Sequence, residues 1–254
     1  MSLDWLTARP VAHRGLHDRA QGIVENTASA AEAAIARGFT IECDVQRTAD
    51  DDAVVFHDFA LERLTGGGHG AMAALTAEEA ARLTLRDTID RVMRLDDFLS
   101  LVGGRVPLIV EVKSAFDGDM RLTDRTATTV AAYSGPLVLK SFDPEVVAHL
   151  RDHPALAGRT IPRGIVAEAS YDGPDYKKLS PERRRALAEF LFFDDAWPDF
   201  ISYRAADLPR AAPNLCRTAL GLPVLGWTIR SAEQARTAKP WVDQIIFEGF
   251  DPVG

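Results

Sequence analysis

The 254-residue sequence lacks any apolar run of the roughly 18 residues that a membrane-spanning helix needs. Its first residues also lack a basic segment followed by an apolar one, so we expect no signal peptide and no stable membrane anchor. Cysteine is scarce: the chain has only Cys43 and Cys216, and neither lies in a CxxC or other zinc-binding spacing. Together these absences favour a cytoplasmic protein in a reducing compartment.

Positive charge is also in deficit, because the formal net charge is −8. Without a cationic field to steer the chain to phosphates, we expect no nucleic-acid partner. An acidic protein can still bind one phosphate through local cations, and a bound metal ion would reverse the local field. The apolar fraction of 46% allows a sizeable core. The composition leaves open whether the chain forms a homo-oligomer.

Short apolar runs alternate with segments of helical period, a pattern typical of repeated βα units. The predicted strands span residues 10–13, 39–45, 53–57, 107–113, 137–141, 160–166, 200–203, 223–229 and 244–247. The predicted helices span residues 27–37, 77–83, 96–101, 121–133, 144–152, 181–192, 208–220 and 232–238. Asn26 is the expected N-cap of the first helix, and the alternative is that Glu25 and Asn26 contact the functional site. Pro144 and Pro181 are expected in first helical turns.

With residues 53–57 set aside as an extra hairpin-like strand, eight main strands remain in about 250 residues, which predicts an α/β fold of the TIM (β/α)8 barrel type. A doubly wound sheet is the alternative, but the Gly-rich first turn typical of that fold is absent. We expect one catalytic domain over residues 1–254. Residues 58–95 contain TGGGHG and are predicted to form a small insertion after the second strand, placed as a flap over the site.

Charged residues occur two apart in stretches that otherwise resemble buried strands: Glu42 and Asp44 in FTIECDV, and Glu111 and Lys113 in PLIVEVK. Strand side chains alternate between faces, so each pair points to one side. A buried carboxylate normally has a counter-charge or a metal ion. Glu42, Asp44 and Glu111 are therefore candidate oxygen ligands for a divalent metal ion, Mg²⁺ or Ca²⁺. Lys113 remains available to bind an anion.

Other polar residues also fall where predicted strands end, and in a TIM barrel those ends share one rim. His13 and His57 suit acid–base chemistry near neutral pH. Arg14 and Lys113 suit the charge of a phosphate. Together with the metal site, they predict metal-assisted cleavage of a phosphate ester. A zinc hydrolase is the alternative, disfavoured because neither HxH nor HExxH occurs.

The charged and aromatic residues near the later strand ends are less specific. Trp227 is a candidate for contacting the substrate, although a tryptophan there could equally belong to the core. Lys140 and Arg230 are interpreted as rim charges.

The motifs VAHRG, ENT, IECDV, TADDDAVVFHD, LxRLTGG and VEVK, followed by SFDPE and GWTI, resemble those of the glycerophosphodiester phosphodiesterases over almost the whole chain. The resemblance implies that His13 and His57 are the acid–base pair. It also implies that Arg14 and Lys113 contact phosphate and that the three acidic residues bind a divalent metal ion. The implied partner is a small-molecule phosphodiester such as glycerophosphocholine, cleaved to glycerol 3-phosphate and an alcohol, with attack by the substrate's own glycerol hydroxyl.

Three positions depart from the family pattern: Val24 replaces a proline before ENT, Asp51 replaces a glycine, and Phe247-Glu248 replaces Thr-Asp at the end of the last strand. We expect the change at Glu248 to alter which head group is accepted.

Two alternatives to this function stay open. A related phosphodiesterase would act on a lysophospholipid, a glycerophosphoinositol or a sugar phosphodiester, and Phe59, Phe142 and Trp227 are candidates for the apolar mouth that a lysolipid requires. A barrel that binds phosphorylated ligands without turnover is disfavoured, because a binder does not need both proton-transfer groups.

Overall fold

Eight parallel strands close into a barrel in the structure, a computed structural model that describes residues 3–253. The strands are β1 (Val11–Ala12), β2 (Thr40–Arg47), β3 (Ala53–Val55), β4 (Met93–Arg94), β5 (Leu108–Val112), β6 (Leu137–Ser141), β7 (Arg163–Ala167), β8 (Phe200–Arg204), β9 (Val224–Ile229) and β10 (Gln244–Phe247). The order around the barrel is β1, β2, β5, β6, β7, β8, β9 and β10, and β1 pairs with both β2 and β10. This closure confirms the predicted TIM barrel and excludes the doubly wound sheet.

Helices lie between the strands on the outside of the barrel, as right-handed parallel crossovers require, except the first helix, which precedes β1 and places Leu6 against the interior cluster. They are α1 (Asp4–Thr7), α2 (Ala28–Ala36), α3 (Ala77–Ala81), α4 (Leu95–Val102), α5 (Arg121–Val130), α6 (Pro144–Arg151), α7 (Pro181–Ala188), α8 (Phe193–Ala196), α9 (Ala211–Thr218) and α10 (Ala232–Ala238). Among the described residues, no helix is long and apolar enough to cross a membrane.

The strands are buried on both faces, and their apolar residues form two separate clusters. One face packs against the helices, where α4 contributes Leu95, Phe98 and Val102. The other face fills the barrel interior with apolar residues that include Ile109 and Phe200. Charged side chains on the interior face are therefore exceptional and must be paired.

The extra strand predicted over residues 53–57 is present as β3 over residues 53–55, and β3 pairs antiparallel with β2. A further strand, β4, pairs with β3 and was not predicted, because two residues carry no readable period. The chain between β3 and β4 packs on a core of its own that includes Phe56, Leu64 and Met72.

Two details at helix ends differ from the expected pattern. The N-cap of α2 is Thr27, whose hydroxyl accepts a hydrogen bond from the Ala30 N–H. The expectation that Asn26 is the N-cap was wrong, because the Asn26 side chain donates to Asp44 instead. The predicted helix 181–192 is interrupted, since α7 ends at Ala188 and Phe190 takes a left-handed conformation. Pro144 and Pro181 do lie in first turns, as predicted.

Candidate active site

Three buried carboxylates from two neighbouring strands meet inside the barrel. Glu42 and Asp44 lie on β2, and Glu111 lies on β5 directly opposite Asp44. Ligand oxygens from all three lie within 4.8 Å of one another, and each residue is at most 4% exposed. The strands therefore bring together the three residues predicted as metal ligands. Their oxygens are of the type that Mg²⁺ and Ca²⁺ prefer, and their spacing allows one ion to be shared.

Two lysines neutralise much of this negative charge. The Lys113 ammonium lies 2.7 Å from Asp44 Oδ1 and also contacts Glu111. The Lys140 ammonium lies 2.9 Å from Glu42 Oε1 and 3.1 Å from Glu111 Oε2. Burial alone would raise the pKa of Glu111, but Lys113 and Lys140 outweigh it and lower that pKa to about 2.

A left-handed turn after β1 aims Arg14 at the same carboxylates. Arg14 has φ of 58°, its backbone N–H donates to Glu42 Oε2 at 3.0 Å, and its Nε lies 3.4 Å from Asp44 Oδ2. The next residue must be glycine, because φ is 79° and a Cβ on Gly15 would approach Ala30 within 2.8 Å. Non-glycine residues in this conformation are strained and concentrate at functional sites.

Asn26 is the second residue held in the left-handed region, with φ of 59°. Its amide donates to Asp44 Oδ2 at 2.9 Å, and its carbonyl oxygen accepts from the Asp44 N–H at 3.2 Å. Burial would raise the pKa of Asp44, but Lys113, His57 and Arg14 outweigh it and hold that pKa well below its usual range. Asp44 is therefore an ionised carboxylate fixed on several sides.

His13, at the end of β1, is held by a carboxylate from the last strand of the barrel. Its Nδ1 lies 2.5 Å from Glu248 Oε2, and Glu248 Oε1 accepts from Arg230 Nε at 2.7 Å. The Nε2 of His17 lies 3.7 Å from the same Glu248 oxygen. Burial would raise the pKa of Glu248, but its bonds to His13 and His17 and the charge of Arg230 lower it far below its usual value.

His57 has an equivalent arrangement on the other side of the cavity. Its Nδ1 lies 2.6 Å from Asp58 Oδ1, and Asp58 Oδ2 accepts from Arg63 Nε at 2.6 Å. Arg63 also donates to both oxygens of Glu25, and Glu25 accepts from Arg14 at 2.6 Å. A continuous chain of charged groups thus links the His57 dyad to the arginine beside Asp44.

A cavity of about 1280 Å³ opens above these groups, and both imidazoles, Lys113 and Trp227 line it. One wall is a row of aromatic rings from the loops after β5, β6 and β7 and from β9. Ring centroids lie 5.9 Å apart for Phe116 and Tyr176, 6.2 Å for Tyr176 and Phe142, and 5.5 Å for Phe142 and Trp227. The Trp227 indole N–H donates to the Ser202 carbonyl, so its ring is fixed in this wall.

The structure thus brings all eight predicted site residues to one cavity or its floor: His13, Arg14, Glu42, Asp44, His57, Glu111, Lys113 and Trp227. Sequence reasoning misjudged Lys140, which was interpreted as a rim charge but is 2% exposed within the carboxylate cluster. The presence of a lysine in the apolar run LVLKS could have indicated that its side chain is buried beside a partner of opposite charge. The bond between Glu248 and His13 had no comparable signal, because the two residues are 235 positions apart.

Known proteins resemble this chain over most of its length. The sequence profile of the glycerophosphoryl diester phosphodiesterase family matches residues 13–163. A glycerophosphodiester phosphodiesterase from Caldanaerobacter subterraneus subsp. tengcongensis is 25% identical over 245 residues, which cover 93% of this chain and 92% of the relative.

Solved structures share the fold at lower identity. A putative glycerophosphoryl diester phosphodiesterase from Silicibacter pomeroyi superposes with a TM-score of 0.72 at 24% identity, covering 94% of this chain and 89% of the other. An Oleispira antarctica phosphodiesterase in complex with the product sn-glycerol-3-phosphate superposes with a TM-score of 0.74 at 18% identity, covering 96% and 94%.

Proposed function

This chain belongs to the glycerophosphoryl diester phosphodiesterase family and is a phosphodiesterase; from that premise we propose that it uses a divalent cation to hydrolyse glycerophosphodiesters to glycerol 3-phosphate and an alcohol. The observation that carries the proposal is the meeting of two carboxylate-held imidazoles with three buried carboxylates in one cavity. The Oleispira phosphodiesterase with bound glycerol 3-phosphate supports the choice of product.

Glu42, Asp44 and Glu111 would hold the cation, because they offer carboxylate oxygens at separations that one ion can share. Such an ion, Mg²⁺ or Ca²⁺, supplies Lewis-acid stabilisation of charge on a phosphoryl oxygen. Arg14 and Lys113 lie beside these carboxylates and would bind the remaining phosphoryl oxygens. The phosphodiester is thereby fixed between the floor of the cavity and the two imidazoles.

The proton transfers fall to His13 and His57. With Nδ1–H donated to Glu248 or Asp58, each imidazole has Nε2 free to act on the substrate. One imidazole takes the proton from the glycerol hydroxyl as its oxygen bonds to phosphorus. The other gives a proton to the leaving alkoxide as the P–O bond to the head group breaks, which leaves a cyclic glycerophosphate. Water then opens the cyclic phosphate with the two roles reversed. Glu248 and Asp58 act as positioning residues, since each fixes one tautomer and ring orientation.

Residues 58–95 contribute to the same cavity, and we propose that they act as a flap within a single catalytic domain over residues 1–254. At the start of this segment Asp58 bonds to His57, Arg63 bonds to Asp58, and both Asp58 and Arg63 line the cavity. Phe59 also lines the cavity and is 46% exposed. A flap that carries the partner of one imidazole would couple access of the substrate to the acid–base geometry.

The aromatic wall favours a second candidate function, the cleavage of lysophospholipids. The cavity of about 1280 Å³ exceeds the roughly 300–1,000 Å³ that is typical of ligand sites. Phe116, Phe142, Tyr176 and Trp227 would offer apolar surface to an acyl chain. A binding protein without turnover is disfavoured, because both imidazoles are built with carboxylate partners that binding alone does not need.

The test is a panel of glycerophosphocholine, glycerophosphoethanolamine, glycerophosphoinositol and lysophosphatidylcholine, with Mg²⁺, with Ca²⁺ and with EDTA. Products are identified by ³¹P NMR. We expect glycerol 3-phosphate from the glycerophosphodiesters only when a divalent ion is present. Lysophosphatidic acid formed faster than glycerol 3-phosphate would instead support the second candidate, and a panel without any product would refute both.

A further inference from the structure

The carboxylate cluster contains a cation of its own, the ammonium of Lys140. We propose that Lys140 is a resident counter-cation that lowers the affinity of the cluster for divalent ions and holds the three carboxylates together when no ion is bound. This inference rests on the proposed function, because it concerns the metal site assigned there.

Lys140 is placed for this role by the register of the barrel. It lies on β6 directly opposite Glu111 of β5, so its side chain enters the barrel beside the carboxylates. The ammonium lies between Glu42 and Glu111, at 2.9 Å and 3.1 Å from their oxygens. Its side chain is 3% exposed, against 12% for that of Lys113. Lys140 is therefore the more deeply buried of the two lysines.

The chain already places a cation or an N–H donor beside every oxygen of the cluster, and Glu42 Oε1 meets Lys140 as an ion pair without a hydrogen bond. Lys140 takes one oxygen of Glu42 and one of Glu111. Lys113 takes the other oxygen of Glu111 and one of Asp44. The second oxygens of Glu42 and Asp44 face the Arg14 backbone N–H and the Arg14 and Asn26 side chains. A divalent ion must therefore share these oxygens with existing donors or displace them.

The formal charges cancel as well. Three carboxylates face Lys113, Lys140 and Arg14, which carry three positive charges. An arriving divalent ion consequently meets carboxylates that already face cations, one of which, Arg14, is shared with Glu25, rather than three uncompensated negative charges. Removing the charge of Lys140 removes one of these three compensating charges and frees one oxygen of Glu42 and one of Glu111.

The experiment measures ion binding directly on protein stripped of metal, by calorimetric titration with Mg²⁺ and with Ca²⁺. The wild type is compared with Lys140→Met and Lys140→Gln, and with Lys239→Met as a control that removes an exposed lysine. Zn²⁺ is avoided, because Asp124, His149 and His153 bring together a second set of ligand atoms of the type that a borderline metal prefers.

We expect Lys140→Met and Lys140→Gln to bind the ion at least about tenfold more tightly than the wild type. The repulsion between a unit positive charge and a divalent ion ~4 Å away changes the dissociation constant by at least this factor even in a water-like dielectric. Lys239→Met should bind like the wild type. In EDTA the Lys140 variants should melt at a lower temperature, since carboxylates are left buried without partners. Saturating Mg²⁺ should raise their melting temperature more than that of the wild type.

Equal dissociation constants in the wild type and both Lys140 variants would overturn the inference while leaving the proposed function intact. A lower melting temperature of the Lys140 variants that Mg²⁺ does not restore would also overturn the inference, because Lys140 would then be a purely structural ion-pair partner. A variant that folds only with the ion present would support it. If no form of the protein binds either ion at millimolar concentration, the metal-dependent function itself fails and this inference fails with it.

Discussion

Glu248→Gln removes a charge from the proposed acid–base machinery while keeping the shape of the side chain. In the wild type the carboxylate is ionised, because its pKa lies far below the usual value, and its Oε2 lies 2.5 Å from His13 Nδ1. A hydrogen bond to a charged group contributes about 1.5–3 kcal/mol. If that energy stabilises the imidazolium as it forms, the variant should lose roughly ten- to hundredfold in kcat.

The assay separates this role from the one expected from the sequence, in which Glu248 selects the head group. Steady-state kinetics on glycerophosphocholine and glycerophosphoethanolamine should show kcat reduced equally for both and KM nearly unchanged. Glu233→Gln is the matched control, because Glu233 lines the cavity, is exposed and, among the residues that the structure describes, makes no hydrogen bond to either imidazole. A variant with normal kcat and a KM that changes with the head group would refute the positioning role.

Three further outcomes are expected. His57→Ala should lower turnover at least ~10²-fold if His57 transfers a proton, and retention of full turnover would contradict that role. Burial would raise the pKa of Glu25, but Arg63 and Arg14 outweigh it and lower that pKa from 4.5 to about 2, so ionised Glu25 stabilises the fold above about pH 4.5 and this stability is lost as pH falls towards 2. The free energy of unfolding of Glu25→Gln, measured with a chemical denaturant, should therefore fall less over that pH window than that of the wild type. The same pH dependence in both proteins would contradict this role. Phe142→Ser should raise KM for lysophosphatidylcholine more than for glycerophosphocholine if the aromatic wall holds an acyl chain, and equal effects would count against that candidate.

The barrel was predictable from the sequence because its strands carry a strong local signal. A run such as PLIVEVK is apolar except for its charged pair, and alternation of side chains places Glu111 and Lys113 on one face without any tertiary information. The strand β4 had no such signal, because it has two residues and is defined by its partner β3.

Contacts between distant strands could not be predicted in the same way. Lys140 faces Glu111 because β5 and β6 pair in one register, and a slip by one residue would have turned it to the helix side. Glu248 reaches His13 only because β10 and β1 close the barrel. Asn26 resembled a helix cap in sequence, but its left-handed backbone turns the amide to Asp44.

The most direct test of the proposed function is turnover of glycerophosphocholine followed by ³¹P NMR, with the protein first stripped by EDTA and then given Mg²⁺ or Ca²⁺. We predict no product from the stripped protein and the appearance of glycerol 3-phosphate when the ion is restored, with Asp44→Asn inactive under both conditions. Undiminished turnover by the stripped protein, or full activity of Asp44→Asn, would contradict a cation held by the three buried carboxylates.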